Sequence, residues 1–285
     1  MPVSTWAIAE PRKLTFDEPV TALNVRIVNG TVNVVGTDEP TARLEVSAIE
    51  GPPLIVTQQD GVLTVSYEDL IWQNMLKWFD RKGWQRRAVV SLTVPAGSAV
   101  AVGVVGAGAF VSGVRGRTDV RGVTGDTTLV GLAGPVGAET VSGNVEAQAV
   151  TGALRFHSVS GDLTVVEGAG ACVKAESVSG NMALDLDPTG KPTDVRLTTI
   201  SGELAIRLPH PADAKVEANT ASGSVSNGFD DLRVSGQWGA KKITGTLGSG
   251  TGTLRATTVS GSIALLRRPP AEDGPHDAEP TGKVL

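Results

Sequence analysis

Short runs of alternating apolar and polar residues fill most of this chain, and one five-residue phrase keeps returning: apolar, Ser or Thr, Gly, polar, apolar. It reads Val141-Ser142-Gly143-Asn144-Val145, then Val159-Ser160-Gly161-Asp162-Leu163, then Val178-Ser179-Gly180-Asn181-Met182. It continues as Ile200-Ser201-Gly202-Glu203-Leu204, Ala221-Ser222-Gly223-Ser224-Val225 and Val259-Ser260-Gly261-Ser262-Ile263. The glycines from Gly143 to Gly223 lie 18, 19, 22 and 21 residues apart. Alternation of period two predicts strands, and self-similarity at this period predicts stacked coils. Glycines at 116, 125, 134, 143, 152, 161 and 170 add a half-period of nine, so each coil is expected to have two similar sides.

The columns of the repeat suggest how a coil closes. Counted from the phrase glycine, positions −2, +2 and +4 are apolar in most coils, as in Val159, Leu163 and Val165 or Ile200, Leu204 and Ile206. Alternation would place all three inside, with the Ser before the glycine and the Asp, Asn or Glu after it facing water. Position −5 is also apolar (Ala138, Phe156, Ala175, Leu197, Ala218, Ala256), which breaks the alternation by one residue. A bend with two outward residues is therefore expected at pairs such as Glu139-Thr140 and Thr198-Thr199. Position −3 is always hydroxylated: Thr140, Ser158, Ser177, Thr199, Thr220 and Thr258. Stacked in register, these form a hydroxyl ladder. The inward glycine leaves room at a narrow wall or supplies a special backbone angle.

Four sections follow. Residues 1–20 are a lead-in segment, 21–88 a strand-rich section, 89–266 the repetitive β-helix and 267–285 a disordered tail. In the second section, Leu23-Asn24-Val25-Arg26-Ile27-Val28 and Thr31-Val32-Asn33-Val34-Val35 could pair as a hairpin or lie on successive coils. The segment from Asp69 breaks the pattern: apolar residues at 71, 72, 75, 76, 78 and 79 have helical spacing, and Asp69 suits an N-cap. A short capping helix near 69–83 is expected, covering an exposed strand edge. Coils rise about 4.8 Å each, so roughly eight of them make a rod ~40 Å long.

Composition narrows the function classes. Gly is abundant, at 35 residues, and only 4% of residues are aromatic, which suits strands and tight corners. A net charge of −5 argues against a nucleic-acid partner. Neither a secretory leader nor a run of about 18 apolar residues is evident, so a cytoplasmic location is the expectation. With one cysteine, Cys172, there is no internal disulfide and no Cys-based zinc site.

The opening Val28-Asn29-Gly30-Thr31-Val32 and the reiterated Val-Ser-Gly phrase resemble the bacterial β-strand-repeat putative adhesin family, a domain of unknown function. The resemblance spans roughly residues 20–266 and implies an all-β, single-chain β-helix or β-solenoid with coils of about 18–22 residues and a right-handed turn. It carries over no catalytic residues.

No catalytic, cofactor-binding or metal set is expected. His157 shares an outward column with Glu139 and Glu176, which reads as a solvated face more readily than as a metal or acid–base site. Asp126, Asn144, Asp162, Asn181 and Glu203 read likewise, and Cys172 reads as a small core residue. The main functional lead is Trp72, Trp78, Phe79 and Trp84, interleaved with cations that include Arg86 and Arg87. Such a segment suits a coil cap, a protein partner or peripheral contact with an anionic membrane. The repeat glycines Gly143, Gly161, Gly180, Gly202, Gly223 and Gly261 carry the architecture. The expected function is a non-catalytic binding or scaffold module that presents flat polar faces to a protein or cell-envelope partner. Peripheral membrane association and self-association are the alternatives, and a carbohydrate-active enzyme is a more distant one.

Overall fold

The computed structural model describes residues 3–68, 86–169, 172–187, 192, 194–237 and 239–269. Their strands form two sheets of 14 and 12 strands. In the middle of the molecule each coil places one strand in each sheet. The larger sheet takes β9 (Ala99–Val104), β11 (Thr118–Arg121), β13 (Val136–Thr140), β15 (Leu154–Ser158), β17 (Cys172–Glu176) and β19 (Asp194–Thr198). The smaller takes β10 (Gly108–Ser112), β12 (Thr127–Val130), β14 (Val145–Gln148), β16 (Leu163–Gly168), β18 (Met182–Leu186) and β20 (Leu204–Leu208). Successive strands in each sheet pair in parallel, so equivalent residues of successive coils stack. At the strand spacing of about 4.8 Å, the 14-stranded sheet is ~60 Å long.

Both ends depart from sequential stacking. The amino-terminal strands are β1 (Ser4–Ile8), β2 (Arg12–Phe16), β3 (Ala22–Ile27), β4 (Asn29–Thr37), β5 (Ala42–Glu50), β6 (Leu54–Gln59), β7 (Val62–Tyr67) and β8 (Arg87–Pro95). The coil β3–β4 lies between the coil β7–β8 and the coil β9–β10. At the other end are β21 (Ala214–Thr220), β22 (Val225–Asn227), β23 (Leu232–Gln237), β24 (Ala240–Leu247), β25 (Thr253–Thr258) and β26 (Ile263–Arg267). Here the last coil, β25–β26, lies between β19–β20 and β21–β22. Antiparallel strands finish the larger sheet on both sides: β6 and β1 at one end, β24 and β23 at the other.

The inner columns explain the close packing. Phe156 is fully buried, and its register partners on either side are Ala138 and Ala175. The large ring therefore fills space that small neighbours leave open, which holds interior density. Positions −5, +2 and +4 are inward as expected: Leu197, Leu204 and Ile206 are all buried.

Position −2 is not inward. Val159 is 51% exposed and Ile200 52%, and Val141, Val178 and Val259 are similarly placed. Position −3 turns in instead, so Ser177, Thr199, Thr220 and Thr258 are buried. The reason is the corner. The hydroxyl at −3 accepts the N–H of the phrase glycine, at 2.7 Å for Ser158 and Gly161 and 2.9 Å for Thr220 and Gly223. That bond turns the chain, so the two consecutive outward residues are −2 and −1 and not −4 and −3. The phrase glycines then stack carbonyl over Cα. A Cβ on Gly202 would lie 1.9 Å from the Gly180 carbonyl oxygen, so close approach and not a special backbone angle requires glycine there.

Two further expectations are refined. The segments at 23–28 and 31–35 form neither a hairpin nor successive coils; as β3 and β4 they are the two sides of one coil. Residues 1–20 contribute β1 and β2, which close one end of each sheet, and the sheets run unbroken across residues 88–89. The expected helix near 69–83 lies outside the described residues, which contain strands and turns and no helix.

Candidate functional site

Parallel register places outward side chains of the larger sheet in straight files along the molecule. One file runs Gly137, Arg155, Lys174, Arg196, Arg255 and Glu217. Four cations thus stand on four adjacent strands, β15, β17, β19 and β25, on a chain whose net charge is −5. Like charges directly opposite on neighbouring strands destabilise a sheet. Their relief is partial. Lys174 Nζ lies 3.6 Å from Glu176, and Arg255 Nε lies 3.6 Å from Glu217. Arg155 and Arg196 are exposed, and neither has an ion pair among the described residues.

The neighbouring file is mixed: Arg121, Glu139, His157, Glu176, Thr198, Thr257, Asn219 and Lys242. Within it Arg121 lies 3.2 Å from Glu139 and His157 Nδ1 3.6 Å from Glu176, while Lys242 reaches across to Glu217 at 2.8 Å. Glu217 closes the cation file. A hydrogen bond from Lys242, with that lysine's charge and then Arg255, holds its carboxyl below the usual range. Beyond Glu217 a shallow cleft of about 610 Å³ opens, lined by Lys215, Asp231, Arg233, Thr244, Thr253 and Arg255 among others. A smaller one of about 140 Å³ lies among Arg196, Thr198, Glu217, Asn219, Arg255 and Thr257. The two share Arg255 and Glu217. This end of the face therefore combines guanidinium groups with hydroxyl and amide groups, a set suited to carboxylate or phosphate groups on a hydroxylated ligand.

The outer face of the smaller sheet contrasts with it. One file there is Thr128, Glu146, Thr164, Ala183, Ala205 and Ala264, with a single charge.

Residues 124–266, half of the chain, match the family model described as Toastrack DUF4097, a domain of unknown function. The chain belongs to this family. The Toastrack protein is also similar to solved structures at low identity. One is a putative cell adhesion protein from Clostridium sporogenes, with 14% identity and a TM-score of 0.25, covering 91% of this chain and 100% of that one. Another is a putative lipid binding protein from Parabacteroides distasonis, with 10% identity and a TM-score of 0.40, covering 91% and 98%. A third is a putative adhesin from Parabacteroides merdae, with 10% identity and a TM-score of 0.26, covering 94% and 96%. No curated protein matches the chain.

In this Toastrack protein the polar columns singled out from the sequence hold the coils together. Each serine before a phrase glycine sends its backbone N–H to the residue two positions before the glycine of the adjacent coil, as Ser160 does to Val141 and Ser179 to Val159. Asp126, Asn144, Asp162 and Asn181 each accept the backbone N–H of the next residue in their column, at 2.7–3.1 Å. One side-chain oxygen of each is thereby committed to the ladder. Glu139, His157 and Glu176 stack in register, with His157 Nδ1 3.6 Å from the Glu176 carboxylate. Among the described residues no group of three His, Cys, Asp or Glu side chains is placed to hold a metal ion. Cys172 is half-buried, and burial and then Asp194 push its thiol pKa up, away from reactivity. Gly143, Gly161, Gly180, Gly202, Gly261 and Gly223 form the corner spine, in that spatial order.

Trp72, Trp78, Phe79 and Trp84 lie outside the described residues. Of that lead, Arg86 sits 5.3 Å over the Tyr67 ring, and Arg87 begins β8. The cation file was missed in the sequence although its register was available there. It occupies position −6 from the phrase glycine, two residues before the column that contains His157.

Proposed function

We propose that this Toastrack protein is a non-catalytic binding module, and that its partner, a protein or a cell-envelope component, docks on the outer face of the larger sheet. The observation that carries this reading is the file Arg155, Lys174, Arg196 and Arg255. Its cations repel one another in the free protein, and an anionic ligand would relieve that repulsion. The sheet fixes the backbone positions of these arginines, so binding orders their side chains but no loop. The commitment of the Ser, Asx and Thr columns to bonds between coils, as Ser160 to Val141 and Thr220 to Gly261, favours a scaffold role for those columns.

Arginine footprinting tests the reading. The full chain is treated with phenylglyoxal, with and without a cell-envelope extract, and modification is read residue by residue. Protection of Arg155, Arg196 and Arg255 by severalfold is expected, with Arg12 unchanged at the far end of the molecule. Equal modification of all four in both samples would remove the face as a docking surface.

A further inference from the structure

We infer that the ligand of this face is a linear acidic polysaccharide lying along the long axis of the molecule; the inference rests on the binding reading above. Three observations lead to it. The first is linearity. The four cations occupy one file across four adjacent parallel strands, and at about 4.8 Å per strand Arg155 and Arg255 are ~14 Å apart. A ligand that satisfies all four must carry anionic groups at short regular intervals along a line.

The second is narrowness. Beside the file, in the column two residues further along each strand, stand Glu139 on β13 and Glu176 on β17, the strand of Lys174. A broad anionic surface would meet these carboxylates as well as the cations. A single chain laid along the file meets four cations in succession before it reaches Glu217, the carboxylate that closes the file. The geometry therefore favours a polymer over a membrane surface.

The third is the chemistry of the groups alongside. Thr198, Thr257, Asn219, Thr253 and Thr244 line the two clefts that flank Arg196, Arg255 and Glu217. Thr253 donates to Asp194 at 2.7 Å, and its neighbours present hydroxyl and amide groups on the same exposed face. A bare oxyanion chain can accept hydrogen bonds from these hydroxyl and amide groups but has none to give to their oxygens. A polyuronate repeats both a carboxylate and hydroxyls along its length, so it uses both sets. Arginine suits the carboxylate because its planar fork donates two parallel hydrogen bonds.

The test is isothermal titration of the folded full chain with polygalacturonate at low salt. Dextran, inorganic polyphosphate, polyglutamate and phosphatidylglycerol vesicles form the other arms. Polygalacturonate is expected to bind more tightly than any of these, and dextran not at all, with affinity falling as salt rises. Arg155→Gln with Arg196→Gln should weaken it at least tenfold, and Thr198→Val with Thr257→Val severalfold, while Arg12→Gln leaves it unchanged. All of these positions are exposed, and circular dichroism checks that each variant folds. Polyphosphate or polyglutamate binding as tightly as polygalacturonate, or vesicles binding through the same arginines, would overturn the polysaccharide and leave the docking face standing. So would no polyanion binding while envelope extract still protects Arg155 and Arg196. Absence of both binding and protection would overturn the docking face as well.

Discussion

Gly261 stacks on Gly202, which is 59 positions earlier, and Gly223 stacks on Gly261. A Cβ on Gly261 would lie 1.8 Å from the Gly202 carbonyl oxygen, and one on Gly223 would lie 1.9 Å from that of Gly261. The coil made last in the chain is therefore an inner coil of the stack. Strands β21 and β22 have no native ladder to the coils before them until β25 and β26 are in place.

Truncation after Gly250 should expose this dependence. Amide hydrogen exchange at Glu217 and Asn219, whose N–H groups face β25, is expected to become fast, while Leu184 in β18 stays protected. Continued protection at Glu217 would mean that β21 re-docks directly on β19, and the order of assembly would not matter.

The glycine spine leaves no room for a side chain. Gly261→Ala should destabilise by roughly 1–3 kcal/mol or more, because the clash is with backbone and no rotamer relieves it. Gly97→Ala is the control: a Cβ there meets nothing within 4 Å, so its effect should fall within about 0.5 kcal/mol. Urea midpoints of the two variants provide the comparison.

Phe156 fills the gap between Ala138 and Ala175. Phe156→Ala should cost about 3–5 kcal/mol through lost burial and the cavity left behind. Phe156→Asp should prevent that coil from packing at all. A melting temperature unchanged in either variant would contradict the inward placement of this column.

Two hydroxyl columns sit three and one residues before each phrase glycine, and they should respond differently. Thr220 Oγ1 accepts from the Gly223 N–H and donates to the Gly261 carbonyl, both at 2.9 Å, and it is buried. Thr220→Val leaves both partners unsatisfied and should cost roughly 1–3 kcal/mol. Ser142 is exposed, and its hydroxyl reaches the Val123 carbonyl at 3.2 Å, so Ser142→Ala should stay within about 0.5 kcal/mol. Equal losses in thermal melts would erase the distinction.

Acid should loosen the carboxy-terminal end first. Asp213 accepts the Thr251 hydroxyl at 2.7 Å, the Thr251 N–H at 3.0 Å and the Ser249 hydroxyl at 2.8 Å. These bonds, that from the Thr251 hydroxyl foremost, lower its pKa from 3.8 to about 2. A carboxylate whose folded pKa is depressed stabilises the fold above the unfolded value and loses that contribution as the pH falls. The window here runs from about pH 4 down to about pH 2. Asp213→Asn should flatten the stability curve in that window relative to the parent protein. Parallel curves would show that the carboxylate contributes nothing there.

Much of this architecture is visible in the residue pattern, because a coil repeats the same inward positions in every turn. The columns at −5, +2 and +4 could be placed from alternation alone. Position −2 could not. Val159 and Ile200 are β-branched and apolar, and alternation carries them inward only if the strand continues through the phrase. A hydrogen bond from the glycine N–H to Ser158 or Thr199 ends the strand first, and a list of residue types does not reveal that bond. The interleaved coil was hidden for another reason. Sequence order suggests spatial order, yet Gly223 and Gly261 obey the same local rules whichever of them lies next to Gly202. The cation file was legible as a column, but its meaning required the knowledge that Arg196 and Arg255 are neighbours.

A stack of coils wound in simple order would peel from a free end like thread from a spool. This molecule is clasped at both ends, since β3–β4 and β25–β26 each lie between coils distant from them in the chain. Tension on the carboxy terminus must draw a coil out from between two others and break its ladders on both sides together. Rupture is thereby shifted from a sequence of small steps to one large one, and the straight face that carries the cations keeps its spacing under load.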